Sequence, residues 1–271
     1  MKQVITRTLT GIVFIALVIG SVLVHSAAFA LVMLLFLFIA VSELMLLLKK
    51  SSIHLSPPLI YTGAFTMFLS IISIHFFQDY FILFWPFLLT SILMIPILEM
   101  FRNQENSLKN SAITLFSIFY LAVPMSSLVL LYGLHPESKT LYIVALFSII
   151  WAYDTLAYCC GMLFGKHKLC EKISPKKTWE GLIGGTILTL ILLFFANRLF
   201  VQMDDIKAIG AGVVIIFFST FGDMFESVLK RKADVKDSGT LFPGHGGVLD
   251  RFDSVFFATI PFILYLFLVV R

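Results

Sequence analysis

Long apolar runs are the feature that most constrains this chain. Several are close to the roughly 20 residues that a helix needs to cross about 30 Å of hydrocarbon. Because backbone groups inside a bilayer must bond within their own segment, each run is expected to be a helix. We therefore predict an all-α polytopic membrane protein with about nine transmembrane helices, near residues 8–24, 28–48, 59–76, 80–98, 112–132, 141–163, 181–200, 208–229 and 252–270.

Lysine and arginine are unevenly distributed between the loops. Most of the 20 such residues lie at the amino terminus and in the loops after the second, fourth, sixth and eighth runs. Cytoplasmic loops carry the excess of these residues, so the bias predicts a cytoplasmic amino terminus. It also accounts for most of the net charge of +4, which therefore gives no indication of nucleic-acid binding.

The chain changes character near residue 150. Residues 1–140 are apolar with plain loops, whereas nearly all unusual polar residues follow. We predict an amino-terminal transmembrane helical bundle over 1–140 and a carboxyl-terminal catalytic transmembrane region with cytoplasmic loops over 141–271.

Five acids lie within the later apolar runs or at their ends. A charged residue at a helix centre in a bilayer costs about 2.5–3.5 kcal/mol, so each is a candidate for function. Asp223 and Glu226 are three residues apart, and so are Asp250 and Asp253, which puts each of these pairs on one helix face. These acids, Asp154, Asp223, Glu226, Asp250 and Asp253, would line a cytoplasm-facing cup if their helices were neighbours.

Each acid taken alone could equally form a structural ion pair with Lys230, Arg231 or Arg251, but the group as a whole favours function. Carboxylates of this kind suit magnesium, which takes one or two of them and completes its shell with water and phosphate. By contrast, we expect Glu43, near Lys49 and Lys50, to be interfacial.

The loop GKHKLCEKISPKKTWEG holds a second cluster of charge. A hydroxyl followed by proline, here Ser174 and Pro175, is typical of a helix start. The backbone N–H groups of Lys176, Lys177 and Thr178 would then form an anion site. The alternative is an ordinary basic loop at the headgroups. We expect the glycines that follow, Gly181, Gly184 and Gly185, to allow close helix packing.

The stretch KDSGTLFPGHGGVLDRFDS, residues 236–254, is the most polar part of the chain. Its glycines, including Gly246 and Gly247, can bring backbone N–H groups against a ligand. It lacks the spacing of a Walker loop. His245 could be a phosphate donor, a metal ligand or a turn residue, and we favour the donor.

Residues 227–253 resemble the signature of the phosphatidate cytidylyltransferase (CDP-diacylglycerol synthase) family. The pattern is S-x-x-K-R, four residues, K-D, then P-x-H-G-G-x-x-D-R-x-D. Its fixed positions are met by Ser227, Lys230, Arg231, Lys236, Asp237, Pro243, His245, Gly246, Gly247, Asp250, Arg251 and Asp253. The upstream segments DTLAY, FGKHKL and ISPKKTWEG are also similar in order, although Leu156 stands where glycine is more often expected. The strong resemblance covers about residues 150–271.

The resemblance implies that CTP and phosphatidic acid are converted to CDP-diacylglycerol and pyrophosphate. It also implies magnesium dependence, a homodimer and an active site that faces the cytoplasm from a bacterial-type inner membrane. We assign the metal to Asp223 and Asp250, with Glu226, Asp253 and Asp154 as further ligands or their partners. We expect Lys230, Arg231, Lys236 and Arg251 to hold phosphates. Ser174, Lys176, Lys177 and Thr178 would support one anionic substrate, most simply the triphosphate.

Two alternatives remain open at this point. One is a related CTP-dependent transferase that acts on another lipid phosphate or an isoprenoid acceptor. The other is a transporter of an anionic substrate, because transporters also carry carboxylates within the membrane. A transporter predicts inverted repeats, and the sequence shows none.

Overall fold

The structure is a computed structural model that describes residues 2–102, 106–135, 139–201, 203–242, 244 and 246–270. Nine α-helices account for most of these residues: α1 Lys2–Val24, α2 Ser26–Lys50, α3 Pro57–Phe76, α4 Phe84–Arg102, α5 Ser107–Leu130, α6 Leu141–Phe164, α7 Trp179–Ala196, α8 Asp205–Lys232 and α9 Leu249–Tyr265. Two short strands, β1 Lys168–Cys170 and β2 Ser174–Thr178, pair between α6 and α7.

Eight helical segments of the described residues are long and apolar enough to cross a membrane, and they contain α2 to α9. Three of them extend beyond the bounds given above through adjoining helical turns, to Phe81–Arg102, Trp179–Val201 and Leu249–Val270. The apolar part of α1, Leu9–Val24, is a shorter ninth candidate. The all-α membrane fold predicted from the apolar runs is therefore confirmed, and we describe the protein as an integral membrane protein.

Local sequence explains where several helices begin. Two prolines open α3, where the missing N–H has no intrahelical partner to lose. Thr178 precedes α7, and its hydroxyl oxygen accepts a hydrogen bond from the N–H of Gly181 at 3.2 Å. Several hydroxyl groups inside the helices, such as that of Ser42, donate to carbonyls of the preceding turn and so need no other partner.

The chain divides into two compact units. The first comprises Met1–Thr140 and Lys232–Phe252, and the second comprises Leu141–Arg231 and Asp253–Arg271. The polar stretch after α8 thus groups with the amino-terminal helices, while the loop between α6 and α7 belongs to the second unit.

In the first unit, α5 is the most buried of the candidate spans, and 67% of its apolar window lies inside the protein. An aromatic cluster ties the polar stretch to the first two helices. The ring of Phe14 lies 5.4 Å from that of Phe242 and 5.6 Å from that of Phe252, and Phe36 lies 5.5 Å from Phe252. These contacts hold both ends of residues 242–252 against α1 and α2.

In the second unit, small residues let helices approach closely. A Cβ atom at Gly181 would lie 2.8 Å from the carbonyl oxygen of Ala157, and one at Gly185 would lie 2.6 Å from the Cα of Ala157. Gly184 similarly faces the sulfur of Cys160. The predicted packing role of these three glycines is confirmed, and it fixes α7 against α6.

Candidate active site

Lys177 and Asp223 form an ion pair in the second unit. Lys177 lies in β2 and Asp223 in α8, and their side chains are 28% and 29% exposed. Burial alone would lower the pKa of Lys177, but the neighbouring Asp223 carboxylate outweighs it and raises that pKa. Lys177 is therefore cationic at neutral pH.

A cavity of about 510 Å³ lies beside this pair, within the range of ligand-binding sites. Three lysines and two aspartates contribute to its wall, so it can receive an anionic group and also a cation. Its polar lining is Tyr153, Asp154, Tyr158, Lys168, Lys176, Lys177, Thr178, Thr220 and Asp223. Three of the residues predicted to support the anionic substrate, Lys176, Lys177 and Thr178, thus share one cavity with Asp223 and Asp154, which were predicted to lie at or beside the metal.

The prediction of a helix start at Ser174 and Pro175 is wrong. Residues Ser174–Thr178 form β2, in which Ser174 lies opposite Cys170 and Thr178 lies opposite Lys168. The fixed φ of proline suits an edge strand as well as a first helical turn, and pairing with β1 selects the strand.

The helix begins instead at Trp179, with Thr178 as its cap. The backbone N–H groups of Lys176, Lys177 and Thr178 consequently do not form the helix terminus that we expected to bind an anion. The side chains of these three residues still line the cavity, whereas Ser174 lies at the far end of the strand and is not among the lining residues.

Glu180 fixes the base of the β1–β2 hairpin, a role that the sequence analysis missed. Its carboxylate accepts hydrogen bonds from the backbone N–H groups of Lys166 at 3.1 Å and His167 at 3.2 Å. The ring Nδ1 of His167 lies 2.6 Å from the same carboxylate. No sequence spacing distinguishes Glu180 from an ordinary acid in the first turn of a helix.

Tyr153 is a second residue that the sequence analysis missed. Its hydroxyl lies 2.8 Å from that of Thr220, which in turn donates to the carbonyl of Ile216 at 2.9 Å. Since the single proton of Thr220 is used in that bond, Tyr153 is the donor to Thr220. The bond joins α6 to α8 at the cavity wall, next to the exposed Asp154.

The other predicted residues of the second unit lie on α8 and α9. Glu226 is fully buried and pairs with Lys230 one turn later on the same helix. Arg231 is exposed near the end of α8. Asp253 lies within the electrostatic range of Asp223, Asp154 and Lys230. The roles assigned to these residues stay predictions.

In the first unit, Asp250 lies in the first turn of α9, and one of its carboxylate oxygens is heavily bonded. Oδ2 accepts from the N–H and the hydroxyl of Ser238 and from the N–H of Gly247, each at 2.8 Å. Gly246, with φ of +81°, lies so close that a Cβ atom there would collide with this carboxylate. In the same unit Lys236 is exposed and Arg251 half-buried, while His245 lies outside the described residues.

Among the residues that the structure describes, no three His, Cys, Asp or Glu side chains form a metal-binding group. Asp223 in the second unit and Asp250 in the first each fit magnesium, which uses one or two carboxylates and takes its other ligands from water and substrate phosphate. Asp223 fits because a cation already sits against it, and Asp250 fits because hydrogen bonds to Oδ2 fix the orientation of its carboxylate.

The fold and the cavity together define an integral membrane protein whose lysines and carboxylates are suited to phosphate groups and a divalent cation. The model of the cytidylyltransferase family matches residues 5–269. The chain therefore belongs to the cytidylyltransferase family, which confirms the resemblance seen in the sequence.

Individual relatives match part of the chain. A phosphatidate cytidylyltransferase of Haemophilus influenzae is 40% identical over 169 residues, which are 59% of this chain and 58% of that protein. The proteins of the same name from Staphylococcus aureus and Staphylococcus epidermidis are 45% identical over 129 residues and 42% identical over 154 residues. The Staphylococcus aureus match covers 46% of this chain and 46% of the relative. The Staphylococcus epidermidis match covers 56% of this chain and 57% of the relative. The chain thus matches about half the length of these relatives.

Proposed function

We propose that the protein transfers the cytidylyl group of CTP to phosphatidic acid, giving CDP-diacylglycerol and pyrophosphate for phospholipid synthesis. The observation that carries this proposal is the Lys177–Asp223 pair on the wall of a ligand-sized cavity in a member of the cytidylyltransferase family. The names of the relatives support the choice of phosphatidic acid as acceptor.

In the proposed reaction, a phosphate oxygen of phosphatidic acid attacks the α-phosphorus of CTP. A new phosphorus–oxygen bond forms to the lipid phosphate, and the bond between the α-phosphorus and the bridging oxygen breaks to release pyrophosphate. The attacking oxygen is already ionised near neutral pH, so no general base is required.

The main barrier to this reaction is electrostatic, because two multiply charged anions must meet. Each pair of unit charges 4 Å apart repels by about 1 kcal/mol in water and about 4 kcal/mol at an effective dielectric of 20. Lys168, Lys176 and Lys177 supply positive charge at the cavity wall, and we propose that they offset this repulsion and bind the triphosphate. Thr178 contributes a hydroxyl to the same wall.

We propose magnesium as the cofactor, as one ion or two, with Asp223 and Asp250 as its carboxylate ligands. When bound, the ion would neutralise triphosphate charge and stabilise the pyrophosphate leaving group. Asp223 would exchange its ion pair with Lys177 for the metal, which frees the ammonium to bind phosphate. Glu226, Asp253 and Asp154 would adjust the charge around the ligands.

We further propose that Lys230, Arg231, Lys236 and Arg251 hold substrate phosphates and that His245, Gly246 and Gly247 contribute donors. Lys230 already pairs with Glu226, so its contribution would require that pair to open. Replacing each cation with methionine and measuring the KM for each substrate would assign it to the triphosphate, to the lipid phosphate or to neither.

The assay for the proposed function uses protein purified in detergent, CTP labelled in its α-phosphate, magnesium and defined acceptors. Label in the lipid with an equal amount of pyrophosphate, given only by phosphatidic acid, is the expected result. Label transferred only to another lipid phosphate or to an isoprenoid acceptor would replace the proposed acceptor. Absence of transfer, together with anion uptake into proteoliposomes, would refute the proposal in favour of a transporter.

We propose that the active site faces the cytoplasm of a bacterial inner membrane and that the protein is a homodimer. A cysteine substituted for the exposed Lys172 of the hairpin tests the orientation when it is labelled from each side of the membrane. Only labelling from the cytoplasmic side agrees with the proposal. Native mass spectrometry in detergent tests the dimer, and a monomer with full activity would contradict it.

A further inference from the structure

Glu43 is a buried carboxylate in the first unit that the proposed chemistry does not use. It lies in α2, within a candidate membrane span, and only 5% of its surface is exposed. The sequence analysis expected it at the membrane interface beside Lys49 and Lys50. The structure instead surrounds it with the polar stretch that follows α8.

Both oxygens of Glu43 accept hydrogen bonds from the start of α9. Oε1 lies 3.1 Å from the N–H of Val248, and Oε2 lies 2.9 Å from the N–H of Leu249. The first N–H groups of a helix have no partner within the helix, and the helix dipole favours negative charge at this end. Glu43 therefore caps α9 from a different part of the chain.

The polar stretch also closes around the carboxylate. A Cβ atom at either Gly239 or Gly247 would collide with Glu43. The hydroxyl of Ser238 lies 3.4 Å from Oε2 of Glu43 but 2.8 Å from Oδ2 of Asp250. Because a hydroxyl has one proton, the shorter contact determines that Ser238 donates to Asp250.

The segments that Glu43 holds are the same ones that orient Asp250. Ser238 and Gly247 provide all three of the hydrogen bonds described for Oδ2 of Asp250, and each residue is next to a contact of Glu43. We infer that Glu43 is a positioning residue, which fixes the start of α9 and the preceding loop so that Asp250 presents its carboxylate in one orientation to the metal. This inference rests on the metal role proposed for Asp250.

Glu43→Gln tests the inference because it keeps the shape of the side chain but turns an amide N–H₂ group toward a backbone donor. Hydrogen exchange of the peptide that contains Val248 and Leu249 is the first measurement, and it needs neither metal nor substrate. Binding of Mn²⁺, followed by electron paramagnetic resonance, is the second. Direct hydrogen-bond partners of metal ligands typically change metal affinity about 10- to 100-fold. Glu43 acts on Asp250 only through such partners, Ser238 and Gly247, so we expect the Kd for Mn²⁺ to rise about tenfold, at the lower end of this range.

Matched variants separate positioning from a general loss of stability. Glu99→Gln alters another fully buried glutamate of the same unit, which pairs with Arg102. No hydrogen bond or ion pair joins Glu99 to the described residues of the polar stretch. Glu99→Gln is expected to leave loop exchange and Mn²⁺ affinity unchanged. Glu43→Asp, which keeps the carboxylate, should recover part of both. If Glu43→Gln does not fold, Gly239→Ala introduces a Cβ that collides with the carboxylate and should give the same two effects.

The outcomes are distinguishable. Unchanged exchange in Glu43→Gln, or an equal change in Glu99→Gln, overturns the anchoring role. Faster exchange with unchanged Mn²⁺ affinity overturns the positioning role. If Asp250→Asn leaves Mn²⁺ affinity unchanged, the metal assignment in the proposed function is wrong, and the positioning role of Glu43 toward Asp250 fails with it. The hydrogen-exchange result still decides separately whether Glu43 anchors the start of α9.

Discussion

Replacing Lys177 with methionine tests whether the ion pair belongs to the chemistry. Methionine keeps the apolar stem and removes the charge. An ammonium 4 Å from a unit negative charge contributes about 4 kcal/mol at an effective dielectric of 20. Part of that stabilisation already exists in the resting protein, because Lys177 neutralises Asp223 there. Only the additional stabilisation gained in the transition state lowers the barrier. We expect a loss of about 2–3 kcal/mol, which is about a 30- to 150-fold decrease in kcat/KM.

The same substitution has a smaller effect on stability. Both side chains are just over a quarter exposed, so the pair lies between a surface pair, worth about 0–1 kcal/mol, and a buried one, whose disruption costs about 3–5 kcal/mol. We expect about 1–2 kcal/mol of destabilisation, seen as a lower Tm in detergent. The protein should therefore remain folded while its activity falls.

The assay is transfer of labelled cytidylyl groups to phosphatidic acid, with Lys172→Met as the control. Lys172 lies in the turn of the same hairpin, is exposed and does not line the cavity. It should retain activity within about twofold of wild type, as expected for a surface substitution. A double-mutant cycle with Asp223→Asn should show a coupling of about 0.5–3 kcal/mol. Activity of Lys177→Met within threefold of wild type would refute the assignment.

Three other features of the second unit can be tested: the packing of α7 on α6, the base of the hairpin and the charge of Lys177. Gly185→Val places a side chain against the backbone of Ala157 and should lower Tm strongly, whereas an unchanged Tm would contradict the close approach of α6 and α7. Glu180→Gln weakens the hydrogen bonds at the base of the hairpin and should speed limited proteolysis between residues 166 and 173; equal cleavage rates would disprove the clamp. In the folded protein the pKa of Lys177 is raised above its ordinary value of 10.5. The stability that its charge provides is therefore fully present below pH 10.5 and is lost only as the pH rises through the raised pKa of the folded state. The Tm difference between wild type and Lys177→Met should accordingly stay constant from about pH 7 to pH 10, and a difference that shrinks in this range would show early deprotonation.

The helices could be predicted from sequence because burial in lipid imposes a rule on each segment by itself. A run of apolar residues is long enough to span or it is not, and this property needs no knowledge of neighbouring segments. The packing glycines of α7 were equally predictable, since small residues favour close helix contact wherever they occur. The element at Ser174 was not, because a hydroxyl followed by proline is compatible with both a strand and a helix start. Pairing with β1 decides between them.

Sequence reasoning judged the acids of the membrane spans by their position along the chain, and the structure separates them by the origin of their partners. Glu226 and Glu99 pair with cations three or four residues away on their own helices, so these pairs form whenever the helix forms. Asp223 pairs instead with a lysine from a hairpin between two other helices. Because its lysine comes from a separate element, the Lys177–Asp223 contact forms only when the hairpin packs against α8. The cost of an acid in a span therefore indicates that a partner exists, but it does not indicate whether that partner comes from the same helix or from a separate element, and only the three-dimensional structure distinguishes the two.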